Sequence, residues 1–363
     1  MGDKGLSARC GSMGWRQNMV RAALAFAASL ITLPVAAQTV GPWTEAVISV
    51  EDIAQSSRLF REVGKWRITH KGKLSRSELE YWNMPDEAGG TFQRLCAPAT
   101  NTGCIRFIKF TGVPQRPIRL NKRAWDTGGI YSIMVRSDNV SALFDAAITM
   151  GWWAESEPIR FTFGASDLRN VVLTGSHGIN LAVYERISPA FTAFPVGRIS
   201  QGFNSMRMVR SKPESRAFYE QKLGFSVLFD SNNEPAAPAP SNFGIPLNYT
   251  PAIKRSAAAL QPAAGETGRV EVMQIEGFTG LDVSAHASPP NFGIISVRYP
   301  VQNLPRYRAE LARKSVPAVY ESLGVSSKGL VSTPVVVMFS VRDPDGNLTD
   351  FYEAKATTKG AKK

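Results

Sequence analysis

The stretch Asp343-Pro344-Asp345-Gly346-Asn347-Leu348-Thr349-Asp350-Phe351-Tyr352-Glu353 reads as a tight turn feeding a strand. Proline at the second turn position and glycine at the fourth suit a type I turn between antiparallel strands. Pro334 to Val341 supplies the strand before the turn, and Leu348 to Tyr352 the strand after it. The hairpin has an echo upstream. Tyr352-Glu353 repeats Tyr184-Glu185, and Gly346 repeats Gly178, each 168 positions on. Phe110-Thr111-Gly112 returns as Phe278-Thr279-Gly280 at the same spacing. Three matches in step imply a duplicated unit.

Each copy divides again. Thr44 to Val50 alternates like a strand, Asp52 caps a helix through Gly64, and Lys65 to His70 returns as a strand. Runs around Thr91 to Cys96 and Cys104 to Phe110 complete the order β-α-β-β-β. Ile130 to Val135 opens a second unit, with a helix over Val140 to Met150 and strands at Asn170 to Thr174 and Ile179 to Tyr184. The third unit opens with Ser205 to Val209, where Met208-Val209-Arg210-Ser211 echoes Met134-Val135-Arg136-Ser137. Ser211 and Glu214 have capping-box spacing, and the helix they open ends at Leu223-Gly224-Phe225, where glycine supplies the left-handed turn. The fourth unit runs from Gly293 to Tyr299, through a helix near Leu304 to Lys314, to the closing hairpin. Residues 188–200, with Pro189, Pro195 and Gly197, read as a linker. Residues 231–268 are rich in Pro and Ala and long for a connection, which fits either a lid over a site or a disordered insertion.

Two segments carry a family resemblance: Phe218-Tyr219-Glu220-Gln221-Lys222-Leu223-Gly224-Phe225 and the closing hairpin. The first resembles the end of the first helix in a vicinal oxygen chelate module, the unit of glyoxalases, bleomycin-resistance proteins and extradiol dioxygenases. The second is similar to that superfamily's closing hairpin, Asp-Pro-Asp-Gly-Asn followed two residues on by Glu-Phe-Tyr. The resemblance is strong over 202–353 and extends through the repeat over 44–185. It implies an α+β fold of four βαβββ modules paired into two glyoxalase-like domains, expected at 38–187 and 201–354. The same cup hosts isomerases, lyases, oxygenases and binding proteins, so fold does not fix reaction.

In this superfamily the first and last strands of a module point metal ligands into a cup, where a divalent cation polarises adjacent substrate oxygens. Carried over, the last-strand positions fall on Asp350, where the family has Glu, near Glu271 and Arg106, and on Ala182. First-strand positions fall near Asn204, Asn291, Glu45 and Tyr131. The resemblance thus implies a second-domain cup in which Asp350 and Glu271 serve as catalytic carboxylates and as ligands of a divalent metal ion, with Asn204 binding substrate. Such an oxygen-rich set suits magnesium, manganese or calcium. Without metal, the crowded carboxylates would raise one another's pKa and act as a general base; the bland alternative is two ordinary strand residues. Arg106 is a candidate anion-binding residue in the emptier first domain, or an outward-facing cation. His70, His177 and His286 match no ligand position, and the Trp66, Tyr81, Trp82, Trp152 and Trp153 cluster reads as packing. The implied function is a lyase, isomerase or oxygenase-like enzyme on a small oxygenated or aromatic molecule. The competing reading is a metal-free sequestering protein of the bleomycin-resistance type.

The first residues resemble a secretory leader: Arg16 and Arg21 precede an uncharged run from Ala22 to Val35, and Val35-Ala36-Ala37 fits a cleavage site before Gln38. A periplasmic or secreted chain is expected, with a signal peptide over 1–37, no membrane association after its removal, and a basic tail over 355–363. Cys96 and Cys104 can bridge if they face each other across a hairpin, or remain two thiols. The net charge of +12 lies partly in leader and tail, and no basic stripe interleaves with aromatics, so nucleic acid is not an expected partner. A small-molecule ligand is, and a homodimer is one assembly open to the chain.

Overall fold

A computed structural model describes residues 40–119, 123–233, 237–326 and 335–354. The leader and the basic tail lie outside the described residues. Module 1 comprises β1 (Glu45–Ser49), α1 (Ile53–Ser56), α2 (Arg58–Glu62), β2 (Arg67–Lys73), α3 (Arg76–Tyr81), β3 (Gly89–Cys96) and β4 (Cys104–Thr111). Module 2 comprises β5 (Ile130–Arg136), α4 (Val140–Thr149), β6 (Trp153–Ala154), β7 (Ile159–Phe163), β8 (Ser166–Thr174) and β9 (Asn180–Ser188). Module 3 comprises β10 (Asn204–Met208), α5 (Lys212–Ala217), β11 (Ser226–Asn233), β12 (Lys254–Gln261) and β13 (Arg269–Glu276). Module 4 comprises β14 (Gly293–Pro300), α6 (Leu304–Arg313), β15 (Tyr320–Ser326), β16 (Val335–Arg342) and β17 (Leu348–Ala354).

The helices start where the sequence places caps. Asp52 accepts from the Gln55 amide, Asn139 from Ala142, Ser211 from Glu214 and Asn303 from Arg306, satisfying amides that a helix start leaves orphaned. The repeated glutamates have the same task. Glu185 accepts from the Val140 amide at 2.9 Å, and Glu353 from the Leu304 amide at 2.9 Å and the Asn303 amide at 3.1 Å. Each closing strand thus caps its own module's helix. The repeated Phe-Thr-Gly has a packing reason: a Cβ at Gly112 would strike the Glu87 carbonyl, and one at Gly280 the Trp125 carbonyl.

The modules pair in a nested order. The first curled sheet runs β15-β16-β17-β14-β1-β4-β3-β2 and joins modules 1 and 4. The second runs β11-β12-β13-β10-β5-β9-β8-β6, with β7 on β8, and joins modules 2 and 3. In each, two first strands meet antiparallel at the centre, Glu45 opposite Arg298 and Asn204 opposite Met134. Each sheet therefore takes one module from each expected half, and the linear boundaries 38–187 and 201–354 do not coincide with either sheet. One apolar cluster packs the helices (Leu59, Phe60, Leu143, Tyr219, Tyr307, Leu311) under strands of both sheets. Two smaller clusters line the opposite faces, one per sheet.

The stretch 231–268 is only partly a connection, because β12 occupies Lys254–Gln261 within it. Cys96 and Cys104 form the disulfide across β3 and β4.

Candidate functional site

Strand pairing locates the side chains at or near the positions that the sequence resemblance marks for ligands. In the first sheet they are Glu45 on β1, Arg106 on β4, Arg298 on β14 and Asp350 on β17; in the second, Asn204 on β10, Glu271 on β13, Met134 on β5 and Ala182 on β9. Glu45, Arg106, Asn204, Glu271, Ala182 and Asp350 all lie on first or last strands of their modules. Asn291 does not, since it precedes β14, and the position belongs to Arg298. Tyr131 is the extra residue of a bulge in β5, which moves that position to Met134.

The expected Asp350–Glu271 pair does not form, because β17 lies in the first sheet and β13 in the second. The nested pairing of modules separates the two carboxylates, so they share neither a metal nor a proton. Two distinct cups replace the one expected.

The first cup is closed by its own charges. Arg298 donates to Glu45 at 3.0 Å and to Asp350 at 3.3 Å, and lies 3.6 Å from Glu78. Arg94 donates to the other Glu45 oxygen at 2.7 Å, and Arg106 to Glu78 at 2.9 Å. Asp350 also accepts from the Ser296 and Ser340 hydroxyls at 2.7 and 2.6 Å. These six charged groups are all buried, three guanidiniums against three carboxylates. Burial alone would push the Glu45 carboxyl up, but Arg94, Arg298 and Arg106 together hold it below its ordinary value. Arg106 is neither outward-facing nor available to a foreign anion, since Glu78 occupies it and Phe92 stacks on it at 3.6 Å.

Helix α3 brings Glu78 and Tyr81 into this cup, and Trp82 follows, packing with Phe110 at 5.6 Å between ring centres. The helix was not expected, although Ser75 and Glu78 carry capping-box spacing and the Ser75 hydroxyl does accept from the Glu78 amide. Reading Tyr81 and Trp82 as packing holds, since both are buried in the cluster that fills the first cup.

The second cup is largely apolar and carries Glu271 on its wall, with Glu155 beside Gly244 of the segment that covers it. Glu271 is 8% exposed, and burial raises its pKa to about 7 against the opposing hydrogen bond from the Asn204 side chain at 3.2 Å. Met134, Ala182, Met206, Met208 and Tyr131 form the wall. Residues 237–253 lie over it as a roof, with Phe243, Ile245 and Ile253 buried in the same cluster and Asn242 hydrogen-bonded to Asn170. At the rim, Trp125 packs on Phe278 at 4.6 Å.

Neither donor set fits a divalent cation. In the first cup two of four positions are guanidiniums, and Arg298 already places positive charge between Glu45 and Asp350. In the second, one carboxylate and one amide stand with a thioether and a methyl group, short of the hard oxygen set that magnesium, manganese or calcium takes. Among the described residues no cluster of three or more His, Cys, Asp or Glu side chains has metal-holding geometry. His70 stands opposite Arg94 at the edge of the first cup, near enough for the charges of Arg94, Arg106 and Glu45 to act on it, and His177 stacks on Phe292 at 4.6 Å.

The fold has solved counterparts. Glyoxalase I from Zea mays superposes with a TM-score of 0.56 at 16% identity, covering 86% of this chain and 92% of that one. A point mutant of that enzyme gives a TM-score of 0.57 at the same identity and coverage. A putative dioxygenase from Bacillus subtilis gives a TM-score of 0.54 at 9% identity, covering 88% and 87%. No family model matches the sequence, and no curated protein matches it.

Proposed function

We propose that this chain, which has the vicinal oxygen chelate fold in both of its sheets, acts on a small oxygenated or aromatic molecule in the second cup, with Glu271 as its acid–base group and no divalent cation. The observation that carries this reading is the buried Glu271 carboxyl, held by the Asn204 side chain and poised near neutrality by burial. A group with that pKa exchanges a proton at physiological pH in either direction, as general acid–base catalysis requires. Proton transfer next to a carbonyl or hydroxyl is isomerase or lyase chemistry. Oxygenase chemistry on this fold relies on a redox metal, which these donors do not suit. Substrate entry displaces the 237–253 roof. Asn204 holds the Glu271 carboxyl in place and offers its amide to a substrate oxygen.

A second reading has its own observation. The walls carry Met, Tyr, Phe and Ile side chains, which suit retention of an aromatic ligand without turnover. The two readings separate on Glu271→Gln. Catechols and 1,2-dicarbonyls are screened by calorimetry and by product analysis at pH 7, with total metal measured on the purified chain. The enzyme reading expects turnover abolished by Glu271→Gln with binding retained within a few-fold. Binding without turnover in either protein supports sequestration. Stoichiometric divalent metal, lost on Glu271→Gln, overturns the metal-free chemistry.

The same proposal places the mature chain in the periplasm or outside the cell. The leader pattern supports it, as does the Cys96–Cys104 bridge, a pairing that persists in oxidising compartments. Among the described residues no helix is long and apolar enough to cross a membrane.

A further inference from the structure

Three arginines stand together at one end of the second cup. Side chains two apart on a strand share a face. Arg136 therefore follows Met134 on β5, Arg186 follows Ala182 and Tyr184 on β9, and Arg269 precedes Glu271 on β13, all on the concave side. Strand pairing brings them level: Arg136 lies beside Tyr184, and Asn204 lies beside both Met134 and Arg269. One ring, Phe191 of the 188–200 segment, has its centre 4.0 Å from the Arg136 guanidinium and 5.3 Å from that of Arg186. Phe203 packs on Arg136 as well, at 4.5 Å.

Their charge is not matched. Among the described residues Glu266 is the one carboxylate in contact with them, and its Oε2 lies 3.2 Å from Arg136 and 3.2 Å from Arg269. The neighbouring acids are engaged elsewhere. Asp138 pairs with Arg198 at 2.8 Å, Glu185 pairs with Arg169 at 3.4 Å and caps α4, and Glu271 accepts from Asn204. Three guanidiniums thus face one acid. Buried polar atoms without a partner are rare and call for a reason. Here the Nε–H groups of Arg136, Arg186 and Arg269 are all buried and lack an acceptor among the described residues. Arg136 is 6% exposed. Burial and the like charges of Arg186 and Arg269 bring its pKa down to about 10, against the pull of Glu266. Negative charge is what the cluster is short of.

Glu266 shows which anion fits. One of its oxygens is shared by two guanidiniums, and charge-assisted pairs of this kind are the strong ones. Yet its side chain is 33% exposed and belongs to the connection between β12 and β13, whereas the arginines are carried on strands. It is an internal counter-ion that a ligand can replace.

We propose that Arg136, Arg186 and Arg269 form an anion subsite of the second cup, which takes the carboxylate of a small organic acid in the place of Glu266. This names the ligand class of that cup, and it rests on the second cup being the working site. Tyr184 lies near both ends, since the charges of Glu271 and Arg136 act on its hydroxyl. A ligand anchored at the arginines extends along Tyr184 toward Glu271.

Calorimetry on the full chain at low ionic strength, where charge is least screened, compares benzoate and phenylacetate, each against its own uncharged amide. At least one acid binds saturably with millimolar or tighter Kd, and its amide binds about tenfold more weakly or less. Arg186→Gln weakens the acid about tenfold, the scale of one lost charge-assisted hydrogen bond. Glu266→Gln tightens it several-fold by removing the competing carboxylate. Lys71→Gln, an exposed cation on β2 of the other sheet, leaves it unchanged; circular dichroism confirms that each variant is folded. Turnover is read separately: its absence, or its survival in Glu271→Gln, counts against the acid–base role of Glu271 and not against the subsite. Absence of binding by both acids overturns the subsite, as does an amide that binds as tightly as its acid, or binding indifferent to Arg186→Gln.

Discussion

Replacing Arg298 by Met should turn the first cup from the best-paired part of the molecule into its weakest. The side chain is fully buried and meets Glu45, Asp350 and Glu78 at 3.0, 3.3 and 3.6 Å. Methionine removes the positive charge and keeps most of the volume, so cavity formation is minor. What remains is three buried carboxylates facing only Arg94 and Arg106. Breaking a buried ion pair by deleting one partner costs about 3–5 kcal/mol. With unfolding entropy near 2.1 cal/mol/K per residue, a chain of this size loses roughly 1.5 °C per kcal/mol, so Tm should fall by about 5–7 °C at pH 8.

The pH dependence is the sharper readout. In the native chain the three arginines outweigh burial and hold Glu45 below its ordinary pKa. Its contribution to stability is therefore present above the unfolded value of about 4.3 and is lost as pH falls through the lower folded value. Without Arg298 the burial of Glu45 loses one of the charges that oppose it, its carboxyl moves up, and the variant loses stability as pH rises through the raised value. The Tm deficit should accordingly shrink by half or more between pH 8 and pH 5, read by differential scanning calorimetry. Adding Asp350→Asn to Arg298→Met should recover part of the loss at pH 8. A deficit under 2 °C, or one equal at both pH values, would refute the claim that Arg298 neutralises this cup.

Three further outcomes follow from other contacts. Glu271→Gln should stabilise the chain at pH 8 by about 3 kcal/mol and leave it unchanged at pH 4, because a carboxyl raised from 4.5 to about 7 costs stability as pH climbs through that window; urea titrations at the two pH values check it. Asp343→Ala should cost about 2–4 kcal/mol, since Asp343 accepts from Tyr219, from the Asp345 and Asn347 amides and from the Asn347 side chain, and its loss strands those donors; Tyr219→Phe should cost less, about 1 kcal/mol, in the same assay. Cys96→Ser should cost about 2–3 kcal/mol for the short loop that the bridge closes, and thiol titration of the unfolded, unreduced native protein should find neither Cys96 nor Cys104 free.

The fold was legible where local chemistry repeats. The closing hairpin and the paired Tyr-Glu dipeptides mark module ends, because each glutamate must cap a helix start. The capping serine and asparagine residues mark the other ends. Module partnership was not legible, because a β-α-β-β-β pattern is the same whichever neighbour its first strand meets. That single unknown put Asp350 and Glu271 in one expected cup, whereas their strands belong to different sheets. Arg298 was missed for a register reason, since a bulge in β14 opposite Val47 and Ile48 shifts the count of residues from the strand's start. Helix α3 left a readable signal at Ser75 and Glu78, obscured by the strand-rich pattern around it. The raised pKa of Glu271 has no sequence signature, because it arises from side chains of β5, β9 and β10 and from the distant 237–253 segment.

The most direct test is the protonation state of Glu271 itself. A carboxyl ¹³C titration of the glutamate-labelled chain, assigned by the signal absent from Glu271→Gln, should show one glutamate titrating at about 7, moving when a cup ligand binds. A Glu271 signal that titrates between 4 and 5, indifferent to every ligand that binds, would contradict the account.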